Sequence, residues 1–300
     1  MKIKHSIILL LLIVPIFANA QLWKRSRAEA YISGGATNFL GELGGANRIG
    51  TNGIRDFDFP ATRPVFLAGY SYRFTKQTAL QLELGYGFLN GNDKLTQEPF
   101  RQNRNLNFRT AIYQFDAKYC LTVSKQRPGH IYNLRGVRGM KNVQIISYVF
   151  AGVGLFWFNP KGFSETTGKW VALHPLSTEG QGLYPSRKNY HRLQPTIPVG
   201  FGFKWLITRD WMVGIEYTLH KTFTDYIDDV STTYPNYNLL RSKKGQEAVD
   251  FSNPSLGLIN STEPNMQRGD PSDKDSYMFA VISLRYKIPY SRRFLGIPKF

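Results

Sequence analysis

Histidines are the first side chains to consider, because they could act in catalysis or bind a metal. Beyond residue 20 the chain contains His130, His174, His191 and His220, and none has the His-x-x-x-His spacing that puts two ligands on one helix face. His174 and His191 share one predicted loop and could bind a metal there. His220 with Asp225 is the one local pair that could belong to a hydrolase's Ser-His-acid or Asp-His set. The sequence therefore favours a protein that is not an enzyme.

Three aspartates close together in the sequence form a second candidate site. Asp225, Asp228 and Asp229 could bind calcium, but they lack the alternating Asp-x-Asp-x-Asp pattern of a Ca²⁺-binding loop. Gly152-Val153-Gly154 follows a strand-like period with no helix after it, so it does not predict a phosphate-binding loop. We leave ion binding by the aspartates open, and we expect no cofactor.

The composition excludes several classes of protein. The chain has 300 residues, with 38 Lys and Arg against 21 Asp and Glu, which gives a formal charge of +17. A mean hydropathy of −0.31, with no long apolar run, argues against a helical membrane protein. A single cysteine excludes a disulfide scaffold, and 42% hydrophobic residues are too many for a disordered chain. The positive charge indicates an acidic partner, and nucleic acid is the first class to test.

The first twenty residues have the pattern of a secretory signal peptide. Lys2 and Lys4 precede the short apolar run Ser6–Phe17, and Ala18-Asn19-Ala20 is a small-x-small cleavage site. We therefore expect residues 1–20 to be removed and residues 21–300 to form one outer-membrane domain. Because such a chain leaves the cytoplasm, we expect no nucleic-acid partner.

Eight segments of the remaining chain show the period-two alternation of β-strands with two different faces. In Trp211–His220, apolar Trp, Val, Ile, Tyr and Leu alternate with Met, Gly, Glu, Thr and His. The first and fifth segments have an ambiguous facing. The eight predicted strands are Glu29–Gly35, Phe66–Phe74, Leu80–Phe88, Ala111–Cys120, Val143–Phe158, Ile197–Trp205, Trp211–His220 and Met278–Tyr286.

Eight such strands after a signal peptide predict an all-β fold, an eight-stranded antiparallel transmembrane β-barrel of the outer membrane with long extracellular loops. A secreted soluble barrel or sandwich is the alternative, in which the apolar faces would point inward. The alternating connections support the membrane barrel: 75–77 and 208–210 are tight, whereas 159–192 and 223–274 are long. This arrangement puts both termini in the periplasm. The fourth connection, Thr122–Lys141, is unusually long for a periplasmic turn.

The predicted inward faces carry acids and bases in equal number. Buried charges persist only when they are paired, so we predict a salt-bridged plug that shuts the lumen. A proton or ion path is the alternative, whereas a diffusion porin needs about 16 strands. Cys120 also falls on an inward position. The predicted plug residues are Glu29, Arg73, Glu83, Asp116, Lys118, Lys204, Glu216 and Arg285.

The unpaired bases concentrate on the predicted periplasmic pieces, whereas the connection 223–274 is rich in acids. Attraction to the phospholipid headgroups of the inner leaflet would explain this asymmetry, and so would docking of an acidic periplasmic protein. The two explanations are compatible. The predicted partner-binding residues are Lys24, Arg25, Arg27, Lys125, Arg127, Arg135, Arg138, Lys141, Arg292 and Arg293.

Three segments carry a resemblance to a known family. Gly34-Gly35 followed by Asn38-Phe39-Leu40-Gly41-Glu42-Leu43 resembles the Gly-Gly…Asn-Tyr-x-Gly-Asp-Leu opening of the PorG-like outer-membrane proteins of the type IX secretion system. Phe223–Ser231 is similar to their Thr-Asp-Tyr-x-Asp-Asp-Val-Ser segment. Gln267–Pro271, followed by Asp275-Ser276-Tyr277, resembles the approach to their last strand.

The resemblance implies an eight-stranded barrel without enzymatic activity. Its implied partners are a periplasmic ring lipoprotein and other subunits of the secretion system, which it would tie to the outer membrane and its lipids. The long connections leave two other roles open. One is a paralogue that acts as a surface ligand-binding or adhesion protein, and the other is a lipid-modifying barrel enzyme.

Overall fold

A computed structural model describes residues 27–43, 60–125, 145–208 and 210–289 of the chain. In this part of the chain β-strands dominate. The strands are β1 (Ala28–Leu40), β2 (Arg63–Arg73), β3 (Thr78–Asn92), β4 (Asn107–Lys125), β5 (Ile145–Phe158), β6 (Lys161–Ser164), β7 (Lys169–Ala172), β8 (Leu193–Leu206), β9 (Trp211–Thr222) and β10 (Ser276–Ile288).

Eight of these strands close into an antiparallel barrel. Each long strand pairs with its neighbour in the sequence, and the circle closes where β1 pairs with β10. The short hairpin β6–β7 stands outside this circle and touches it where Lys161 pairs with Arg109 of β4. The predicted eight-stranded antiparallel barrel is confirmed.

The two faces of each strand differ as the alternation predicts. On β9 the side chains of Met212, Glu216 and His220 are buried in the lumen, whereas Trp211 and Ile215 are exposed. The exposed outer face carries a belt of large apolar side chains. Members of the belt include Ile32, Phe66, Leu84, Tyr113, Phe115, Val153, Phe201, Phe203, Ile282 and Leu284. An apolar exterior around an interior that contains charged side chains is the pattern of a membrane-spanning barrel, and the reverse of a soluble one.

Strand β5 is ambiguous in the sequence because both of its faces are apolar. Tyr148, Phe150, Phe156 and Phe158 point into the lumen, while Val149 and its outward neighbours face outside. The facing of this strand is therefore set by its register with β4 and β8 and not by its own pattern.

The barrel has two dissimilar ends. At the short-turn end two of the connections are tight: residues 74–77 join β2 to β3, and residues 207–210 join β8 to β9. Strands β3 and β4, with 15 and 19 residues, extend beyond the predicted segments Leu80–Phe88 and Ala111–Cys120. The opposite end, which we call the loop end, carries the long connections.

The connections 159–192 and 223–274 form an ordered roof over the loop end. Three short helices lie at this end, α1 (Pro99–Arg104), α2 (Tyr237–Lys244) and α3 (Gln246–Ser252). Leu240, Ala248 and Val249 form a small core with Leu176 and Leu183. None of the helices in the described ranges has the length and apolarity needed to cross a bilayer.

Candidate functional site

The lumen near the short-turn end contains a compact network of buried charges. Lys118 Nζ lies 2.6 Å from Glu83 Oε1 and 2.9 Å from Glu216 Oε1. Arg285 Nη2 donates to Glu216 Oε2 at 3.2 Å. All four side chains are almost completely buried. Each charge therefore has an opposite charge in contact, as burial away from water requires.

A second group of charges lies beside the first. The Glu29 carboxylate accepts from Arg73 Nη2 at 2.9 Å and from Lys204 Nζ at 3.1 Å. Glu29 and Arg73 come from the neighbouring strands β1 and β2, and Lys204 comes from β8, which does not pair with either of them. The Arg73–Glu29 pair joins two neighbouring strands, whereas the Lys204–Glu29 pair joins β8 to β1, which are not hydrogen-bonded to each other, and so braces the barrel across its lumen.

Two tyrosines donate further hydrogen bonds to the carboxylates of this network. The Tyr31 hydroxyl donates to Glu83 Oε2 at 2.9 Å, and the Tyr148 hydroxyl donates to Glu216 Oε2 at 2.7 Å. The Arg285 guanidinium lies 4.0 Å from the centre of the Tyr31 ring. The network is fixed on several sides, so it fills the lumen as a rigid polar plug.

Asp116 differs from the other predicted plug residues because its partner is not a lysine or arginine. Its Oδ2 accepts from Gln114 Nε2 at 2.7 Å and lies 3.1 Å from His220 Nε2. The His220 ring stacks on Tyr277, with centroids 4.5 Å apart. His220 is therefore enclosed in the lumen, and its hydrogen-bond partners are Asp116 and Gln114 and not Asp225.

The half of the lumen toward the loop end is apolar. This differs from the prediction, which described a salt-bridged lumen only. Phe39, Phe108 and Phe156 are fully buried there, and loop residues Ile227 and Val230 pack into the same cluster. This half of the barrel has the character of a soluble protein core. Together with the charged network, it fills the interior with side chains, as the diameter of eight strands permits.

The basic residues predicted to bind a partner lie at the short-turn end or outside the described residues. Arg27 precedes β1, and its Nη1 lies 3.5 Å from the Tyr72 hydroxyl. Lys125 is the last residue of β4 at that end. Outside the described residues are Lys24, Arg25, Arg127, Arg135, Arg138, Lys141, Arg292 and Arg293.

The segments that contain these undescribed bases all connect to one end of the barrel. Residues 21–26 lead into β1, residues 126–144 join the end of β4 to the start of β5, and residues 290–300 follow β10. All four of those strand ends lie at the short-turn end, because the strands alternate in direction. The predicted basic segments are therefore all attached to strand ends at the short-turn end.

At the loop end the three aspartates of the candidate calcium site do not converge. Asp229 accepts from the Thr178 hydroxyl and, at 2.7 Å, from the Tyr190 hydroxyl. Asp228 instead accepts from the backbone N–H of Leu43 at 3.2 Å and of Val230 at 3.0 Å. These two neighbours in the sequence therefore serve different parts of the roof.

The histidines of the predicted loop do not form a metal centre either. His174 Nε2 lies 3.0 Å from the Tyr190 carbonyl oxygen, and His191 is exposed. Among the residues that the structure describes, one group of three potential metal ligands has its oxygens within 4.8 Å of one another, Glu42, Asp228 and Asp275.

No local motif reveals this group, because Glu42, Asp228 and Asp275 lie far apart in the chain. A signal was nevertheless present. Since the first and last strands of a closed barrel pair, the residue after β1 lies beside the residue before β10. Leu40 pairs with Ser276, so Glu42 and Asp275 are brought together at the loop end.

Burial and mutual repulsion change the acidity of these carboxyl groups. Burial, together with the charges of Asp228 and Asp225, raises the pKa of Glu42 to about 10. Burial likewise raises the pKa of Asp228 to about 8, with Asp225 adding to the effect. The pKa of Asp275 is also raised well above its usual range, by burial and by the charges of Asp228 and Glu42.

No protein-family model matches this chain, and no curated protein matches it. Among solved structures, the chain is similar to Neisserial surface protein A (NspA), with 10% identity, a TM-score of 0.38 and coverage of 87% of this chain and 96% of that one. It is also similar to Ail of Yersinia pestis, with 8% identity, a TM-score of 0.36 and coverage of 87% and 99%. The N-terminal β-barrel domain of Pseudomonas aeruginosa OprF has 10% identity and a TM-score of 0.32, with coverage of 88% and 99%.

Proposed function

We propose that this protein is a non-enzymatic anchor of the outer membrane, which holds a periplasmic ring complex of the type IX secretion system through a basic face at its short-turn end. The observation that carries the proposal is the two-sidedness of the barrel. The basic arm, the turn 126–144 and the basic tail connect to one end, while the other end is covered by the roof.

The exterior of the barrel supports its place in a membrane. Phe66, Leu84, Val153 and Ile282 are each exposed by 60% or more of their surface, although they are large and apolar. Exposing such side chains to water is unfavourable by about 25 cal/mol per Å² of apolar area, so a lipid environment stabilises this surface. The eight strands of the barrel have 11 to 19 residues, and about 9–11 residues are enough for a tilted strand to cross a bilayer.

The interior supports an anchoring role over transport or catalysis. Lys118 and Glu216 are locked in mutual contact at 2.9 Å, and the loop half of the lumen is packed with aromatic rings. His220 has no solvent-exposed surface, so a substrate at the membrane surface would not reach it. The orientation we propose, with the short-turn end in the periplasm, follows the usual arrangement of short and long connections in such barrels.

Co-purification from native outer membrane tests the proposal. A tagged wild-type protein is expected to recover a periplasmic ring lipoprotein. The double variant Arg135→Glu/Arg138→Glu is expected to lower that recovery about tenfold or more, because charge reversal replaces attraction by repulsion. Lys243→Glu/Lys244→Glu is the matched control, since both lysines are exposed on α2 at the loop end. Equal recovery with all three proteins would refute the docking face.

A surface ligand-binding or adhesion role is the second candidate, and one observation favours it. In the roof, Leu256 is 55% and Leu258 is 73% exposed, and Phe100 on α1 is 60% exposed. Exposed apolar groups of this kind serve binding when they form a patch. Leu256→Ser/Leu258→Ser is expected to remove adhesion while recovery of the ring lipoprotein stays unchanged. The opposite result would favour the anchor alone.

A further inference from the structure

We propose that Glu42, Asp228 and Asp275 bind one calcium ion, which ties the first connection of the barrel to the last at the loop end. This site is independent of the proposed partner at the short-turn end. One carboxylate oxygen from each residue lies within 4.8 Å of those from the other two. Oxygens bound to a single Ca²⁺ can be up to about 5 Å apart, because each Ca–O distance is about 2.3–2.6 Å.

The carboxylates are held in place by backbone hydrogen bonds. The N–H of Asp270 donates to Glu42 Oε1 at 2.9 Å, and the N–H of Ile227 donates to Asp275 Oδ2 at 2.9 Å. Asp228 accepts from Leu43 and Val230. These contacts orient the groups before any ion arrives, so little conformational entropy is lost on binding.

Two oxygens of the group are buried and lack a hydrogen-bond partner, namely Glu42 Oε2 and Asp275 Oδ1. Asp275 is only 1% exposed. Its Oδ1 lies against Gly41, the residue before Glu42: a Cβ at Gly41 would be 2.3 Å from it. A buried oxygen without a partner is unfavourable, and more so when it is charged, so this pair of oxygens indicates a missing ligand.

The charge around the group also favours a cation. Asp225 adds a fourth negative charge that raises the pKa of Glu42, Asp228 and Asp275. Arg104 is the base whose charge reaches Asp228, and it is already bound to Asp93 at 2.8 Å. A divalent cation would offset this repulsion. Hard carboxylate oxygens at this spacing suit Ca²⁺, whose coordination is more flexible than that of Mg²⁺.

Calcium titration of the full-length protein tests the site. The protein is refolded in detergent, so that no lipopolysaccharide carries Ca²⁺ into the sample, and it is freed of metal with EDTA. Isothermal titration with calcium chloride is expected to show one ion per chain. Asp275→Asn and Glu42→Gln are each expected to weaken binding about tenfold or more, since affinity follows the number of charged ligands.

Asp250→Asn is the matched control, because Asp250 is exposed on α3 in the same connection and should leave binding unchanged. Heat-dependent migration in gels checks that each variant is folded. The proposal is overturned if the wild type binds no Ca²⁺, or if Asp275→Asn and Glu42→Gln bind it as tightly as the wild type does. A variant that is more stable than the wild type, with neither protein responding to Ca²⁺, would show that the group only repels itself, and this too overturns the proposal.

Discussion

Lys118 illustrates how individual residues hold this barrel together. Its side chain is completely buried, and its ammonium group is shared between Glu83 and Glu216. The two carboxylates come from β3 and β9, so one cation links strands that do not pair. Removing the ammonium group would leave the buried carboxylates of Glu83 and Glu216 without the cation that they share. Such a loss is far less favourable than the loss of an ion pair exposed to water.

We therefore predict that Lys118→Met lowers the free energy of unfolding by about 3–5 kcal/mol. Lys94→Met is the control, because the Lys94–Glu165 ion pair is exposed, and its loss should change stability by about 1 kcal/mol or less. Urea unfolding in detergent, followed by tryptophan fluorescence, measures both. Equal losses in the two variants would contradict the role assigned to Lys118.

A second prediction concerns Gly69, which lies against the inward-facing side chain of Tyr31. A Cβ at Gly69 would lie 2.2 Å from the Tyr31 ring, whereas a Cβ at Gly34 would meet nothing within 4 Å. We expect Gly69→Ala to destabilise the barrel by about 1–3 kcal/mol through overpacking, and Gly34→Ala to be close to neutral. The same unfolding measurement distinguishes them, and a neutral Gly69→Ala would show that Tyr31 can move aside.

For individual side chains, the sequence predicted which ones face inward but not which ones contact each other. Placing Glu83, Lys118 and Glu216 in the lumen needs only the period of two along each strand. The partner of Asp116 depends on register across the barrel. The equal number of acids and bases predicted a lysine or arginine partner, whereas the structure pairs Asp116 with His220. Pairing across a lumen is a long-range property, so alternation alone does not determine it.

Among the elements, strands with one apolar and one polar face could be predicted best. β9 and β3 follow their predicted faces throughout, because the polar residues had no stable place outside. β5 and the roof could not be predicted in this way. Phe156 and Phe158 face inward because of the register of β5 with its neighbours, and the apolar loop half of the lumen accommodates them; the roof depends on contacts between distant connections.

Glu179 is central to the roof. Its carboxylate accepts from the backbone N–H groups of Ser231 and Thr232 and from Arg268 Nη1 at 2.9 Å. We predict that Glu179→Gln leaves Arg268 buried without its charge partner and speeds hydrogen exchange of the Ser231 and Thr232 amides about a hundredfold, which equals about 3 kcal/mol.

Glu263→Gln is the control for this prediction, because Glu263 lies in the same connection as Ser231 and Thr232 and makes no buried ion pair among those the structure describes. Exchange measured by mass spectrometry should change in the Glu179 variant alone, while the strands stay protected. Slow exchange in both variants would mean that the roof is held by its apolar core.

For the whole molecule, the filled lumen and the apolar belt together describe a closed body in a membrane. We predict that the purified protein gives no discrete current steps in a planar bilayer, since charged and aromatic side chains occupy the interior from end to end. A general porin in the same bilayer serves as the positive control. Steady conductance that scales with salt would contradict the plug.

The pairing of β1 with β10 also governs how the molecule can be made. The residues that meet there, from Ala28 with Ile288 to Leu40 with Ser276, are the first and last parts of the barrel to be synthesised. A chain that stops before Ser276 would expose two unpaired edges, β1 and β9, which are templates for aggregation. Contacts of such high sequence separation also form slowly. The nascent chain must therefore be kept apart from its neighbours until its final strand arrives.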